Sequence, residues 1–299
     1  MTTEPRLVAT LVTNQALDDF TIFLKTLALW NSEQPPTLFV FGDVEAKIIL
    51  EKSGYTGKTH FKDCLSPYSA LNRSAMEKMP GKFSPTLWMD FQMEKLNVLK
   101  WVFEEFSDQA TTQGVFYFDA DICFLTGLPD VPLTAKVGLC PHMIRSYDED
   151  RFGKYNAGYV WIKSAEAVEV WREACKTSRF FEQSALEVFG TDPVWRKWLY
   201  EFPIQHNYGW WRMWQSSHTP YEVMKDWGMF RAPKTAGIVV KAKALASVHT
   251  HWNSHDFATR EFNKVVFHYL KRLAGGHPPA AQMVRILSPY AAALPAPHV

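Results

Sequence analysis

The sequence predicts an α/β protein with a mixed, mainly parallel sheet flanked by helices, and three observations carry that expectation. Short apolar and aromatic runs (residues 7–13, 37–41 and 114–118) recur without polar alternation, as in strands buried on both faces. Amphipathic helical patterns separate them, and strand, helix, strand order implies parallel pairing through right-handed crossovers. The third run ends in Asp119-Ala120-Asp121, and open α/β sheets bind ligands at the carboxyl ends of their strands.

Residues 7–13 form the first strand, and Asn14 follows as a turn residue. Asp18 or Asp19 can cap a helix to Trp30, with Phe20, Phe23, Leu24, Leu27 and Trp30 on one face. Pro35-Pro36 breaks the chain before the second strand, 37–41, which ends at Gly42-Asp43; a short helix over 44–53 follows. Residues 55–85 are rich in turn formers and read as an irregular loop over the site. Pro85 opens a long helix in which Trp88, Phe91, Lys95, Leu96, Leu99 and Phe103 recur at helical spacing. It feeds the aspartate-bearing strand. Further strands are expected over 137–140 and 155–162, with a polar loop over 145–154 between them. Helices follow over 165–177, 182–189 and 194–200, then a tryptophan-rich stretch over 202–214. Late strands over 238–240 and 245–249 precede a helix over 257–273. Past Gly275-Gly276 the composition turns to Ala and Pro, so the simplest division is one domain over 1–274 and a C-terminal helix with a loose tail over 275–299.

A hydrophobic share of 47% and a charged share of 21% suit a globular chain with a sizeable core. A net charge of +1 argues against a nucleic-acid partner and a polybasic membrane surface. The N-terminus lacks a signal peptide's basic start and apolar run, and no apolar stretch is long enough to span a bilayer. Cys64, Cys123, Cys140 and Cys175 are scattered, as reduced thiols of a cytoplasmic protein would be. Peripheral membrane contact stays open.

Asp119 and Asp121 fall on the same side of an extended chain. Two like charges beside an apolar strand repel and are costly to desolvate, and a divalent cation between them reverses that balance. The plain alternative is a strand cap followed by a turn toward Gly127 and Pro129.

Taken in order, segments across residues 7–255 resemble the GT-A fold nucleotide-sugar glycosyltransferases, in particular the glycogenin-like and bacterial lipopolysaccharide glucosyl- and galactosyltransferases. Strand 7–13, ending in Thr13 with Asn14 beyond it, looks like the uridine-binding start, and Lys95 matches a donor-contacting lysine. Phe118-Asp119-Ala120-Asp121 matches the metal motif, Asn156-Ala157-Gly158 the Asn-Ala/Ser-Gly segment, and Glu182-Gln183-Ser184-Ala185-Leu186 a variant of Asp-Gln-Asp-x-Leu. Pro203 and Asn207 fall where the family has a Pro and an Asn before the last strands, and Val248-His249 looks like the pair whose histidine ligates the metal. Two positions depart. Ser184 stands where the family has a second acid, and 250–255 lacks the family's Gly and the Lys-Pro-Trp whose lysine holds the diphosphate; Arg145, Lys154 or Arg260 are candidate replacements.

The resemblance implies a metal-dependent transfer of sugar from a nucleoside-diphosphate sugar, UDP-linked first, to a saccharide acceptor. The metal set is Asp119, Asp121 and His249, with Asp119 on the ion or on the ribose. Mixed Asp/His ligation favours Mn²⁺ somewhat over Mg²⁺. Asn156 and Gln183 would bond donor-sugar hydroxyls, while Asp43 would meet the base or ribose or only close a turn. Glu182 is the leading acid for orienting the acceptor or acting as base; Asp192 is the second, with helix capping as its other role. Trp210, Trp211 and Trp214 offer an acceptor platform or plain core, and His251 an acceptor contact, a second ligand or a phosphate contact. Two rival functions carry weight: a non-catalytic sugar or nucleotide-sugar binding protein on the same scaffold, and, less favoured, a metal-dependent phosphohydrolase.

Overall fold

The computed structural model describes residues 4–291. Its first half is two parallel crossovers: β1 (Leu7–Val12), α1 (Leu17–Trp30), β2 (Thr37–Gly42), α2 (Val44–Lys52) and β3 (Thr59–Asp63). Short helices α3 (Ser66–Ser69) and α4 (Arg73–Met76) lead into α5 (Leu87–Glu105), α6 (Ser107–Gln113) and the central strand β4 (Val115–Phe118), which lies parallel to β1. Then come β5 (Ile122–Phe124), β6 (Val137–Pro141), α7 (Ser146–Phe152), β7 (Tyr155–Ile162), α8 (Ala165–Cys175), α9 (Val188–Thr191) and β8 (Leu199–Glu201). The last part holds β9 (Tyr208–Gly209), α10 (Trp211–Trp214), α11 (Pro220–Met224), β10 (Trp227–Met229), β11 (Ile238–Val240), β12 (Lys243–Ala244), β13 (Ser247–His249), α12 (Phe257–Ala274) and α13 (Pro278–Ala291).

Seven strands make the main sheet in the order β3-β2-β1-β4-β7-β6-β8, with β7 antiparallel to both neighbours. Strand periodicity sorts the core into two layers. Leu7, Ala9 and Leu11 join Leu96, Leu99 and Phe103 of α5 on one face, while Val8 and Val12 join Phe20, Phe23 and Leu24 of α1 on the other. A second sheet, β5-β13-β9, branches off at the end of β4. It packs with α12 and α13, which bury Phe262, Val266, Met283 and Leu287 in a third cluster. No helix among the described residues is long and apolar enough to cross a membrane.

Several segments differ from the sequence expectation. The loop expected over 55–85 contains β3, an edge strand of half-buried and exposed residues that takes its shape from pairing with β2. The loop expected over 145–154 contains α7, whose residues show no apolar stripe because only Asp148 is buried; Gly153, at φ 93°, ends it. The helix expected over 194–200 is a single 3₁₀ turn, Trp195–Trp198, followed by β8. The first helix starts at Leu17 with Ala16 as its cap, so Asp18 and Asp19 sit in the first turn. Of the expected tail, residues 292–299 lie outside the described residues.

Candidate functional site

The chain leaves the main sheet after Phe118, turns through Asp119-Ala120-Asp121, and enters the second sheet at Ile122, which pairs with His249. Asp119 is held by its backbone N–H on the Gly158 carbonyl (2.9 Å), and the Asp121 carbonyl accepts from Thr250 N–H (3.1 Å). The turn between sheets, rather than a strand pleat, brings the two carboxylates together. Ligand atoms of Asp119, Asp121 and His249 all lie within 4.8 Å of one another. Ligands about 2.1–2.5 Å from one ion lie at most about 5 Å apart, so the three fit a single divalent cation. His249 Nε2 is 3.0 Å from Asp121 Oδ1 and 3.9 Å from Asp119 Oδ2. Burial works against the charge of Asp121, but the imidazoles of His249 and His251 outweigh it and hold the carboxyl below its usual range.

Lys95 comes up from α5 to meet the site. Its Nζ lies 3.1 Å from Asp119 Oδ1 and 2.8 Å from Glu182 Oε1, with Lys95 and Glu182 both buried. Burial opposes the ammonium charge, yet Asp119 and Glu182 raise its pKa above the ordinary lysine range. Tyr117 donates its hydroxyl to Asp119 Oδ1 (2.8 Å). Glu182 is therefore committed to an ion pair and is not a free base. Replacing Lys95 by methionine leaves two carboxylates facing each other in a buried space. We expect a loss of about 3–5 kcal/mol in unfolding free energy, read by urea titration in EDTA. An unchanged midpoint would show that the pair carries no structural weight.

Asn156 is fully engaged inside the chain: Oδ1 accepts from Gly158 N–H (2.9 Å) and Asn207 Nδ2 (2.9 Å), and Nδ2 donates to His142 Nε2 (3.1 Å), with Gln183 Oε1 at 3.4 Å. It is a strut of the site before it is a sugar contact. Gln183 stands half-buried beside it. Asp43 caps α2 through Ala46 N–H (3.0 Å) and accepts from Asn14 N–H (2.6 Å), which ties the end of β1 to β2; Thr13 is buried and Asn14 exposed there. Asp192 uses its carboxylate to accept from Val194 and Trp195 N–H, the turn-capping role. Trp211 is buried edge-on against His249 (ring centroids 5.1 Å) and so forms a wall behind the histidine instead of an open platform; half-buried Trp210 packs against it. His251 is exposed and joins the metal-side cluster: Nδ1 sits on Asp19 Oδ2 (2.7 Å) and Nε2 is 3.4 Å from Asp121 Oδ2. The charge of Asp121, joined by that of Asp19, holds this imidazole above its usual pKa.

Sequence reasoning passed over three contributors. Asp19 fixes the loop after His249, accepting also from Trp252 N–H (2.9 Å). Tyr117, inside β4, and His142, just past the end of β6, carried no signal beyond their polar groups. Gly158 belongs to the noted Asn-Ala-Gly segment, and the space explains it: a Cβ there would lie 2.4 Å from His249 Cε1 and 2.5 Å from Asp119 Oδ2.

No family model matches this chain, and no curated protein does. Among solved structures, the galactosyltransferase LgtC, crystallised with donor and acceptor sugar analogs, aligns over 95% of this chain and 95% of its own, at 12% identity and a TM-score of 0.52. The fold is that of the GT-A glycosyltransferases. The GT-A likeness extends to apo GlyE of Streptococcus pneumoniae TIGR4 (TM-score 0.50, 13% identity, 99% of this chain and 65% of GlyE). It extends as well to the bifunctional glycosyltransferase WbbM (TM-score 0.51, 10% identity, 95% of this chain), of which the chain spans 52%. At such identities the likeness is one of GT-A architecture.

Proposed function

We propose that this protein is a metal-dependent glycosyltransferase that moves a sugar from a nucleoside-diphosphate sugar, UDP-linked first, to a saccharide acceptor. The observation that carries the reading is the convergence of Asp119, Asp121 and His249 at the carboxyl end of the central strand of a GT-A fold. A divalent cation held there, Mn²⁺ ahead of Mg²⁺ because one ligand is an imidazole, would offset charge developing on the leaving diphosphate. Lys95 holds Asp119 in place, and Glu182 holds Lys95. Gln183, half-buried beside Asn156, would bond a donor-sugar hydroxyl, and the end of β1 with Asp43 would meet the nucleoside. His251, held by Asp19 from behind, belongs to the 250–255 stretch that lacks the family's diphosphate lysine and would meet the diphosphate in its stead. Four free cysteines fit a cytoplasmic setting.

Release of UDP from UDP-hexoses, followed in Mn²⁺ and again in excess EDTA, is the direct test. Turnover of at least one sugar that stops in EDTA is expected. Binding of UDP by titration calorimetry with no sugar turned over would leave a binding protein. No binding of UDP, GDP or dTDP in Mn²⁺ overturns the nucleotide-sugar reading altogether.

A further inference from the structure

Behind His249 runs a buried line of side chains whose hydrogen-bond directions are fixed by backbone groups. The Gly158 N–H can only donate, so the atom of Asn156 that meets it is the amide oxygen, and Asn156 Nδ2 must donate onward. It points at His142 Nε2 (3.1 Å), while His142 Nδ1 lies 2.8 Å from the Gly153 carbonyl, which can only accept. Burial pushes the pKa of His142 down to about 4, so its one proton sits on Nδ1 and its Nε2 receives the Asn156 amide. On the other side, Asn156 Oδ1 takes a bond from Asn207 Nδ2 (2.9 Å). That leaves Asn207 Oδ1 as the atom facing His249 Nδ1 at 2.8 Å. Every link has one donor and one acceptor, from the Gly153 carbonyl to the imidazole.

We infer that Asn207, backed by Asn156 and His142, is a positioning residue that keeps His249 Nδ1 protonated and turns Nε2 toward Asp119 and Asp121. This rests on the metal reading of that carboxylate pair. A neutral imidazole has one lone pair, and the group bonded to the other nitrogen decides where it points. Asn207 is fully buried and holds φ at 53°, a left-handed backbone that asparagine tolerates better than most residues. A strained, buried asparagine with both ends of its amide committed is built to deliver one contact. The amide acceptor also sets the site apart from a carboxylate-backed histidine, since it orients the ring without adding a negative charge behind it.

The test pairs Asn207→Gly, which keeps the backbone angle and removes the amide, with Asn207→Asp, which keeps an acceptor for His249 and loses the bond to Asn156. Mn²⁺ affinity of the full chain, by electron paramagnetic resonance, is expected to fall about 10–100-fold in Asn207→Gly and less than about tenfold in Asn207→Asp. Thermal melting should drop in both, so a merely structural role would move the two affinities together and overturn the inference. In metal-free protein labelled with ¹⁵N-histidine, His249 Nδ1 is expected to read as a protonated nitrogen in the wild type; an unprotonated Nδ1 also overturns it. Wild-type protein that takes up no Mn²⁺ sinks the metal reading instead, and the nitrogen spectrum then decides the imidazole orientation by itself.

Discussion

Replacing Asp121 by asparagine is expected to lower sugar transfer by about a thousandfold, the equivalent of several kcal/mol of charge stabilisation at the leaving group. The carboxylate is buried between two imidazoles, with Oδ1 3.0 Å from His249 Nε2 and Oδ2 3.4 Å from His251 Nε2. An amide of the same shape keeps one oxygen but surrenders the negative charge on which a divalent ion depends. Initial rates of UDP release at saturating Mn²⁺ measure the loss, and melting in EDTA separates it from unfolding. A variant keeping more than about a tenth of the wild-type rate would remove Asp121 from the proposed ligand set.

Substituting Gly158 by alanine is expected to be nearly as damaging, although it adds a single methyl group. The added carbon would sit 2.4 Å from His249 Cε1, 2.5 Å from Asp119 Oδ2 and 3.0 Å from Asn156 Oδ1. Non-bonded carbons rest about 3.5–4.0 Å apart, so the histidine and the aspartate must each give way by roughly 1 Å. Displacements of that size cost about a hundredfold in rate, and an overfilled interior costs about 1–3 kcal/mol in stability. Gly158 lies inside β7 with a buried neighbourhood on both faces, which leaves the methyl group no other direction. Mn²⁺ affinity and transfer rate measured side by side give the answer. Wild-type values for both would mean that the site tolerates a looser geometry than the contacts imply.

The main sheet and the Asp119–Asp121 pair were legible because both rest on strong local signals, whereas His249, which the fold brings beside that pair, was placed by resemblance. Buried strands such as 7–12 and 115–118 are nearly all apolar, and a pair of acids at the end of such a strand has few uses. Strand β3 was invisible because Thr-His-Phe-Lys-Asp alternates weakly and owes its conformation to pairing with β2, as in Leu38 with Thr59. Helix α7 lacked any apolar stripe to announce it. Within the site, the misjudged residues were those whose role depends on a partner far away in sequence. Glu182 looked like a free acid until Lys95 came within 2.8 Å, and Asp19 looked like a helix cap until it closed on residues 251 and 252. Trp211 looked like a sugar platform, but its ring is buried edge-on against His249. Asn207 was placed only by resemblance, since its amide bonds reach to residues 156 and 249.

Asp119 stands at the end of the central strand of the seven-stranded sheet, whereas Asp121 leads into the small sheet that carries His249. An ion gripped by all three would act as a rivet through the seam between these two bodies. Binding and cohesion then become the same free energy read from two sides: loaded protein resists prying the sheets apart by RT ln(1 + [M]/Kd), and any distant change that slackens β9 or β13 returns as weaker affinity for the ion.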